Sequence, residues 1–144
     1  MSFTFFTDRL GGFSQGDFSS LNLALHVDDD PALVLQNRRI ISDQYGPTMY
    51  MNQVHGNAVE VVSNTDQVSP TCDALVTTTP GITLAVLTAD CIPLLLTSEN
   101  VVAAVHVGRR GLVNGVARKT VQIMRELGAT TIMGKLGPSI CGTC

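Results

Sequence analysis

Charge is scarce in this chain. Asp, Glu, Lys and Arg make up only 15% of its 144 residues, and the net charge is −3. With 44% hydrophobic residues beside so little charge, disorder is excluded. No basic excess marks a nucleic-acid surface. Long apolar runs are also missing: none approaches the roughly 18 residues that a membrane span needs. The opening Met1-Ser2-Phe3-Thr4-Phe5-Phe6 lacks the basic segment and small-residue cleavage site of a secretory signal. The expectation is a cytoplasmic protein with no membrane or nucleic-acid partner. Cys72, Cys91, Cys141 and Cys144 make no convincing disulfide framework and default to reduced thiols. Repeats, low-complexity tracts and linkers are absent as well, and the length suits one domain over residues 1–144.

What is present is an alternation of apolar runs and turn signals. Residues 3–7 read as a strand and 11–20 as a turn-rich loop. Asp30-Pro31 opens a helix, with Asp as N-cap and Pro at the first helical position, and Gly46 stops it. Leu33, Val34, Ile40 and Ile41 form its apolar face. Residues 49–54 and 58–63 read as strands flanking His55-Gly56. Apolar runs follow at 74–78, 82–88, 92–97 and 101–107. Runs that are continuous, not alternating, predict strands covered on both faces. Residues 112–127 read as one helix closed by Gly128, and 130–136 as a last strand. The ending Leu136-Gly137-Pro138-Ser139-Ile140-Cys141-Gly142-Thr143-Cys144 reads as a strand running into a turn, as in a truncated domain.

Three residues carry the strongest chemical signal. His55 sits in Asn52-Gln53-Val54-His55-Gly56, Cys91 in Thr88-Ala89-Asp90-Cys91-Ile92-Pro93, and His106 in Val105-His106-Val107-Gly108-Arg109-Arg110-Gly111. Two imidazoles and a thiolate suit Zn²⁺, and three protein ligands leave the fourth position for water or substrate, as in a catalytic site. Bland alternatives stand beside each: an inert buried cysteine, a satisfied core histidine, a solvated turn histidine. Asp90 beside Cys91 needs a partner if buried and is a candidate proton carrier. Arg110, at the start of a helix, is a candidate phosphate or oxyanion ligand. Asn52 and Gln53 either bind a polar ligand or tie down their turn. His26, near Asp28, has no motif around it and reads as structural or as a minor contributor to the site. The Cys141/Cys144 pair lacks the context of a redox or zinc motif.

Taken together, Gly11-Gly12-Phe13-Ser14, Ser20-Leu21-Asn22-Leu23, Asn37-Arg38, Asn52-Gln53-Val54-His55-Gly56, Asp73-Ala74, Thr88-Ala89-Asp90-Cys91-x-Pro93, His106-x-Gly108-x-Arg110-Gly111 and Gly137-Pro138-x-Ile140 resemble, in order, the motifs of the laccase-domain or YfiH-like family. That family was first labelled multicopper polyphenol oxidases and is now regarded as zinc-dependent purine nucleoside phosphorylases. The resemblance implies an α+β fold, an α/β/β/α sandwich with mixed β-sheets, incomplete at its C-terminus because family members continue further. It implies a zinc triad of His55, Cys91 and His106; around that triad Asp90, Cys91 and Arg110 are the candidate catalytic residues. Asn22, Gln53 and Arg110 are the candidate substrate-binding residues. The implied substrates are phosphate and adenosine, inosine, guanosine and methylthioadenosine, with adenosine deamination as a further activity. Arg109 stands where many members carry Trp, and Val107 where they carry Ala. The alternatives left open are a metal-independent cysteine hydrolase using Cys91 and His106, an inactive fragment prone to self-association, and adventitious phenol oxidation with copper in place of zinc.

Overall fold

The computed structural model describes residues 2–143. Helix α1 spans Pro31–Tyr45. Strands β1 (Thr48–Met49), β2 (Val59–Val61), β3 (Ala74–Thr77), β4 (Thr83–Leu84), β5 (Ile92–Thr97) and β6 (Val102–Val107) follow it. Helices α2 (Arg109–Val113) and α3 (Val116–Glu126) and strand β7 (Met133–Leu136) complete the described elements. A five-stranded sheet runs β2-β3-β6-β5-β7, parallel between β2 and β3 and antiparallel elsewhere. A two-stranded parallel sheet pairs β1 with β4.

The layering follows from the period-2 alternation of the strands. On β3 and β6, Ala74, Val76, Ala103, Val105 and Val107 pack with Val116 and Met124 of α3. Leu75, one position out of phase, joins Met49 and Leu84 of the second sheet. With α1 against β1, the order is helix, sheet, sheet, helix: the expected α/β/β/α sandwich with mixed sheets. All four residues of β3 are buried, and β6 is buried at all but its first residue. These are the both-face-covered strands that the continuous apolar runs predicted.

Helix α1 forms as its caps dictate. Asp30 accepts a hydrogen bond from the Ala32 N–H at 2.8 Å, and Gly46 closes the helix at φ 92°, a left-handed value that costs glycine least. Val34 and Ile41 of the expected apolar face are buried, and so is the polar Asn37.

Several elements differ from the sequence expectation. Residues 3–7 form no strand; Phe3 and Phe5 are held through their rings, Phe5 stacking on Tyr45 at 3.7 Å between centroids. The strands expected at 49–54 and 82–88 shrink to the β1–β4 pair, because both chains then leave the sheet for the cavity described below. Residues 112–127 are two helices, since Gly115 takes a left-handed φ of 75° after Asn114. The last strand starts at Met133 and is an exposed edge. Cys72 and Cys91 are free thiols, but Cys141 is disulfide-bonded, against the expectation of reduced thiols. It is exposed in the last turn, where no packing isolates its sulfur. Cys144, the other half of the Cys-x-x-Cys pair, lies outside the described residues. No helix among the described residues is long and apolar enough to cross a membrane.

Candidate metal centre

His106 lies near the end of β6, on the face turned away from α3, and is 2% exposed. The β5–β6 register pairs Ile92 with Val107 and Pro93 with His106, so its continuation sets Cys91 opposite Gly108. His55 comes from the loop between β1 and β2, and its φ of 59° is a left-handed conformation rare for a non-glycine residue. The three side chains converge: one ligand atom from each of His55, Cys91 and His106 lies within 4.8 Å of the others. An ion bonded to two nitrogens and a sulfur needs donor separations of roughly 3.3–3.7 Å, a modest closure from that geometry. Among the described residues this is the one grouping of His, Cys, Asp or Glu donors suited to a metal.

The arrangement is enforced by a carboxylate that no local pattern had marked for a role. Asp73, in a fully buried position just before β3, accepts the His55 N–H at 2.8 Å and the Gly56 N–H at 2.7 Å. It also accepts the Val54 N–H at 3.4 Å. Its Oδ1 lies 2.8 Å from His106 Nδ1. That contact puts the proton of a neutral imidazole on Nδ1 and leaves the Nε2 lone pair for a metal. Burial pushes the Asp73 carboxyl up, but His106 and the three backbone donors outweigh it and hold it below the ordinary carboxylate range. The same carboxylate thus fixes His55 in its uncommon backbone conformation and orients His106.

Gly108 completes the cradle. A Cβ there would stand 2.9 Å from His55 Cδ2 and 3.3 Å from Cys91 Sγ. Only a residue without a side chain leaves the three donors their common space. The donor set, its spacing and this gap fit a borderline-soft ion such as Zn²⁺.

The donors form part of the wall of a cavity of about 640 Å³. Asn22, Gln53 and Asp90 also line it, together with Arg9 and His26. A separate crevice of about 380 Å³, near Phe3, Phe5 and Tyr45, contains none of the metal donors. Both amides expected to touch substrate are tied into the walls. Gln53 donates to the Leu87 carbonyl at 2.7 Å and accepts the Leu87 N–H at 2.8 Å, so it clamps the segment leading to Cys91. Asn22 donates to Asp29 at 2.8 Å and accepts the Ala24 N–H at 3.0 Å. Asp90 is exposed on the cavity wall. Arg109 and Arg110 are exposed in the first turn of α2 and do not line the cavity. Sequence reasoning passed over Asp73 and Arg9, and left His26 as either structural or a minor contributor to the site. Asp73 stood in a motif, but nothing local revealed its partners.

The fold is a layered α+β domain that gathers two imidazoles and a thiol, a candidate metal site, at the wall of a cavity. More particularly, the chain belongs to the laccase-domain, YfiH-like family, described as multi-copper polyphenol oxidoreductase laccase, whose profile matches residues 3–144. Its relatives include a Streptomyces coelicolor protein named purine nucleoside phosphorylase, 46% identical over 96% of this chain and 62% of its own length. A Corynebacterium glutamicum protein of the same name is 47% identical over 86% of this chain and 54% of its own. Among solved structures, a Neisseria meningitidis protein superposes with a TM-score of 0.83 at 41% identity, covering 92% of this chain and 55% of that one. YlmD from Geobacillus stearothermophilus superposes with a TM-score of 0.86 at 32% identity, covering 94% and 57%. The chain therefore spans between half and two thirds of the length of these relatives.

Proposed function

We propose that this protein is a zinc-dependent purine nucleoside phosphorylase, acting on adenosine, inosine, guanosine and methylthioadenosine, with adenosine deamination as a side activity. The observation that carries this reading is the convergence of His55, Cys91 and His106 on the wall of a cavity of about 640 Å³. The names of the Streptomyces and Corynebacterium relatives supply the reaction class. When bound, zinc supplies Lewis-acid stabilisation of negative charge developing on an oxygen. The chain's own residues do the rest. Asp73 holds His106 with Nε2 toward the donors, and Gly108 leaves the space open. Asp90, on the cavity wall beside Cys91, carries the proton in deamination. Phosphate is assigned to Arg9, the cation that lines the cavity, and not to Arg110, which lies outside it. Arg9→Ala raises the KM for phosphate and leaves zinc content unchanged.

The direct test is zinc content by mass spectrometry paired with phosphate-dependent base release from adenosine and inosine. Near-stoichiometric zinc with turnover, both lost in Cys91→Ala, is the expected result. Full turnover by a metal-free Cys91→Ala variant would overturn it. The Asp73–His106 hydrogen bond also favours a second reading, since it would orient an imidazole for a thiol nucleophile as well as for a metal. A cysteine hydrolase of that kind keeps its activity in chelator, and the zinc enzyme does not. Phenol oxidation by a multicopper cluster is disfavoured, because one three-donor group holds one ion.

A further inference from the structure

Phosphorolysis breaks the bond from C1′ to the purine nitrogen and leaves the electron pair on the base. Without a proton the base departs as an anion, so a group on the wall that delivers one lowers the barrier. Resting on the phosphorylase reading above, the inventory of the cavity narrows that group down. Its titratable lining residues are Asp8, Arg9, His26, His55, Asp90, Cys91 and His106. Three of these are the metal donors. Asp8 accepts the Leu10 N–H at 2.7 Å. Arg9 grips the Ser19 carbonyl through Nε at 2.9 Å and Nη2 at 2.7 Å, and a guanidinium does not release protons. His26 and Asp90 remain. Of the two types, histidine is the one that both holds and gives up a proton near neutral pH.

The backbone around His26 is held in place. The Leu23 carbonyl accepts from Arg38 Nε at 2.8 Å, and the Asn22 carbonyl accepts from Asn37 Nδ2 at 2.8 Å. On the other side, Asp29 accepts from Ser14 Oγ at 2.6 Å and Asn22 Nδ2 at 2.8 Å. Helix α1 thus anchors the segment that leads to His26, which lines the cavity from a different segment than the three donors.

We propose that His26 is the catalytic acid that protonates the departing purine. As a phosphate oxygen bonds to C1′, the C1′–N9 bond breaks and its pair moves onto the ring. The His26 imidazolium gives its proton to a ring nitrogen, the neutral base leaves, and the neutral imidazole regains a proton from water.

The test compares inosine with 7-methylinosine, whose cationic ring leaves without an added proton. In His26→Ala and His26→Gln the kcat/KM for inosine falls about 100-fold or more. The value for 7-methylinosine stays close to that of the parent chain, and zinc content does not change. Equal losses on both substrates, or no loss on either, would overturn the proposal while leaving the phosphorylase reading intact. A selective loss in Asp90→Asn instead of His26→Gln would also overturn it, by moving the role to Asp90. Base release from neither substrate by the zinc-loaded parent chain would overturn the proposal together with the phosphorylase reading.

Discussion

Asp73 has no solvent exposure, yet its two oxygens receive four hydrogen bonds, three from the loop that carries His55 and one from His106. A buried carboxylate is tolerated only when it is satisfied this way. In Asp73→Asn one oxygen becomes an amide donor that faces N–H groups. Loss of such an outer partner weakens zinc binding about 10–100-fold, and the mismatch costs on the order of 3 kcal/mol of stability. Competition with a zinc chelator and urea unfolding of the metal-free form measure the two effects separately. An Asn variant with parental zinc affinity would show that Asp73 serves only the fold. Gly108 makes the complementary case. Its φ of −76° and ψ of 168° suit any residue, so alanine there brings no backbone strain. The added methyl meets His55 and Cys91 instead. Gly108→Ala is expected to lose most of its zinc in mass spectrometry and to keep its circular dichroism spectrum. A full zinc complement would mean that the donors do not share the space next to Gly108.

The loop from Asp8 to Asp29 has little regular structure beyond one 3₁₀ turn at Gly16–Phe18, and side chains hold it in shape. Asn37 of α1, fully buried, donates to Ser14 Oγ and to the Ser20 and Asn22 carbonyls and accepts the Phe13 N–H. Gly12 packs so closely on the Ser20 carbonyl, Leu21 and Asn37 that no Cβ fits. Asp29 closes the network, and its carboxyl is held below the ordinary range by the Ser14 hydroxyl first and then by the Asn22 amide. The folded protein therefore binds fewer protons at Asp29 than the unfolded chain does around pH 4. The contribution is fully present above the ordinary carboxylate value and is lost as pH falls through the lowered one. Asp29→Asn is expected to flatten the acid limb of a stability–pH profile measured by urea unfolding and to change little near neutrality. An unchanged acid limb would sink the assignment. The element scale also shows where sequence was legible. Asp30-Pro31 and Gly46 bounded α1 because caps are local chemistry. The break at Gly115 was not visible, because the apolar period continues through it and only the left-handed φ stops the helix. Residues 3–7 look like a strand in composition, but pairing depends on a partner that no local pattern reveals.

At the scale of the whole molecule, the site is a knot of distant segments: residues 55, 73, 91, 106 and 108 come from three loops and two strand ends of one sandwich. The candidate donors were legible, since His and Cys in turn-bounded motifs announce themselves. The carboxylate was not, because an acid inside Cys72-Asp73-Ala74 signals nothing until burial and its four partners are known. On the zinc reading, this wiring makes metal binding a property of the fold. An ion that joins segments far apart in sequence binds the folded chain and not the unfolded one, so it stabilises by mass action. Zinc at a thousand times its dissociation constant adds about 4 kcal/mol. For a domain of this size that raises the melting temperature by at least about 10 °C. Calorimetry of the zinc-loaded and chelator-treated protein is expected to show this gap, with base release lost in the chelated sample and restored by added zinc. Cys91→Ala should melt at the same temperature in both conditions. A gap without lost activity would leave the metal a structural part and return the chemistry to the Cys91 thiol. Lost activity without a gap would mean that the ion binds the unfolded chain about as well as the folded one, which overturns the dependence of binding on the fold.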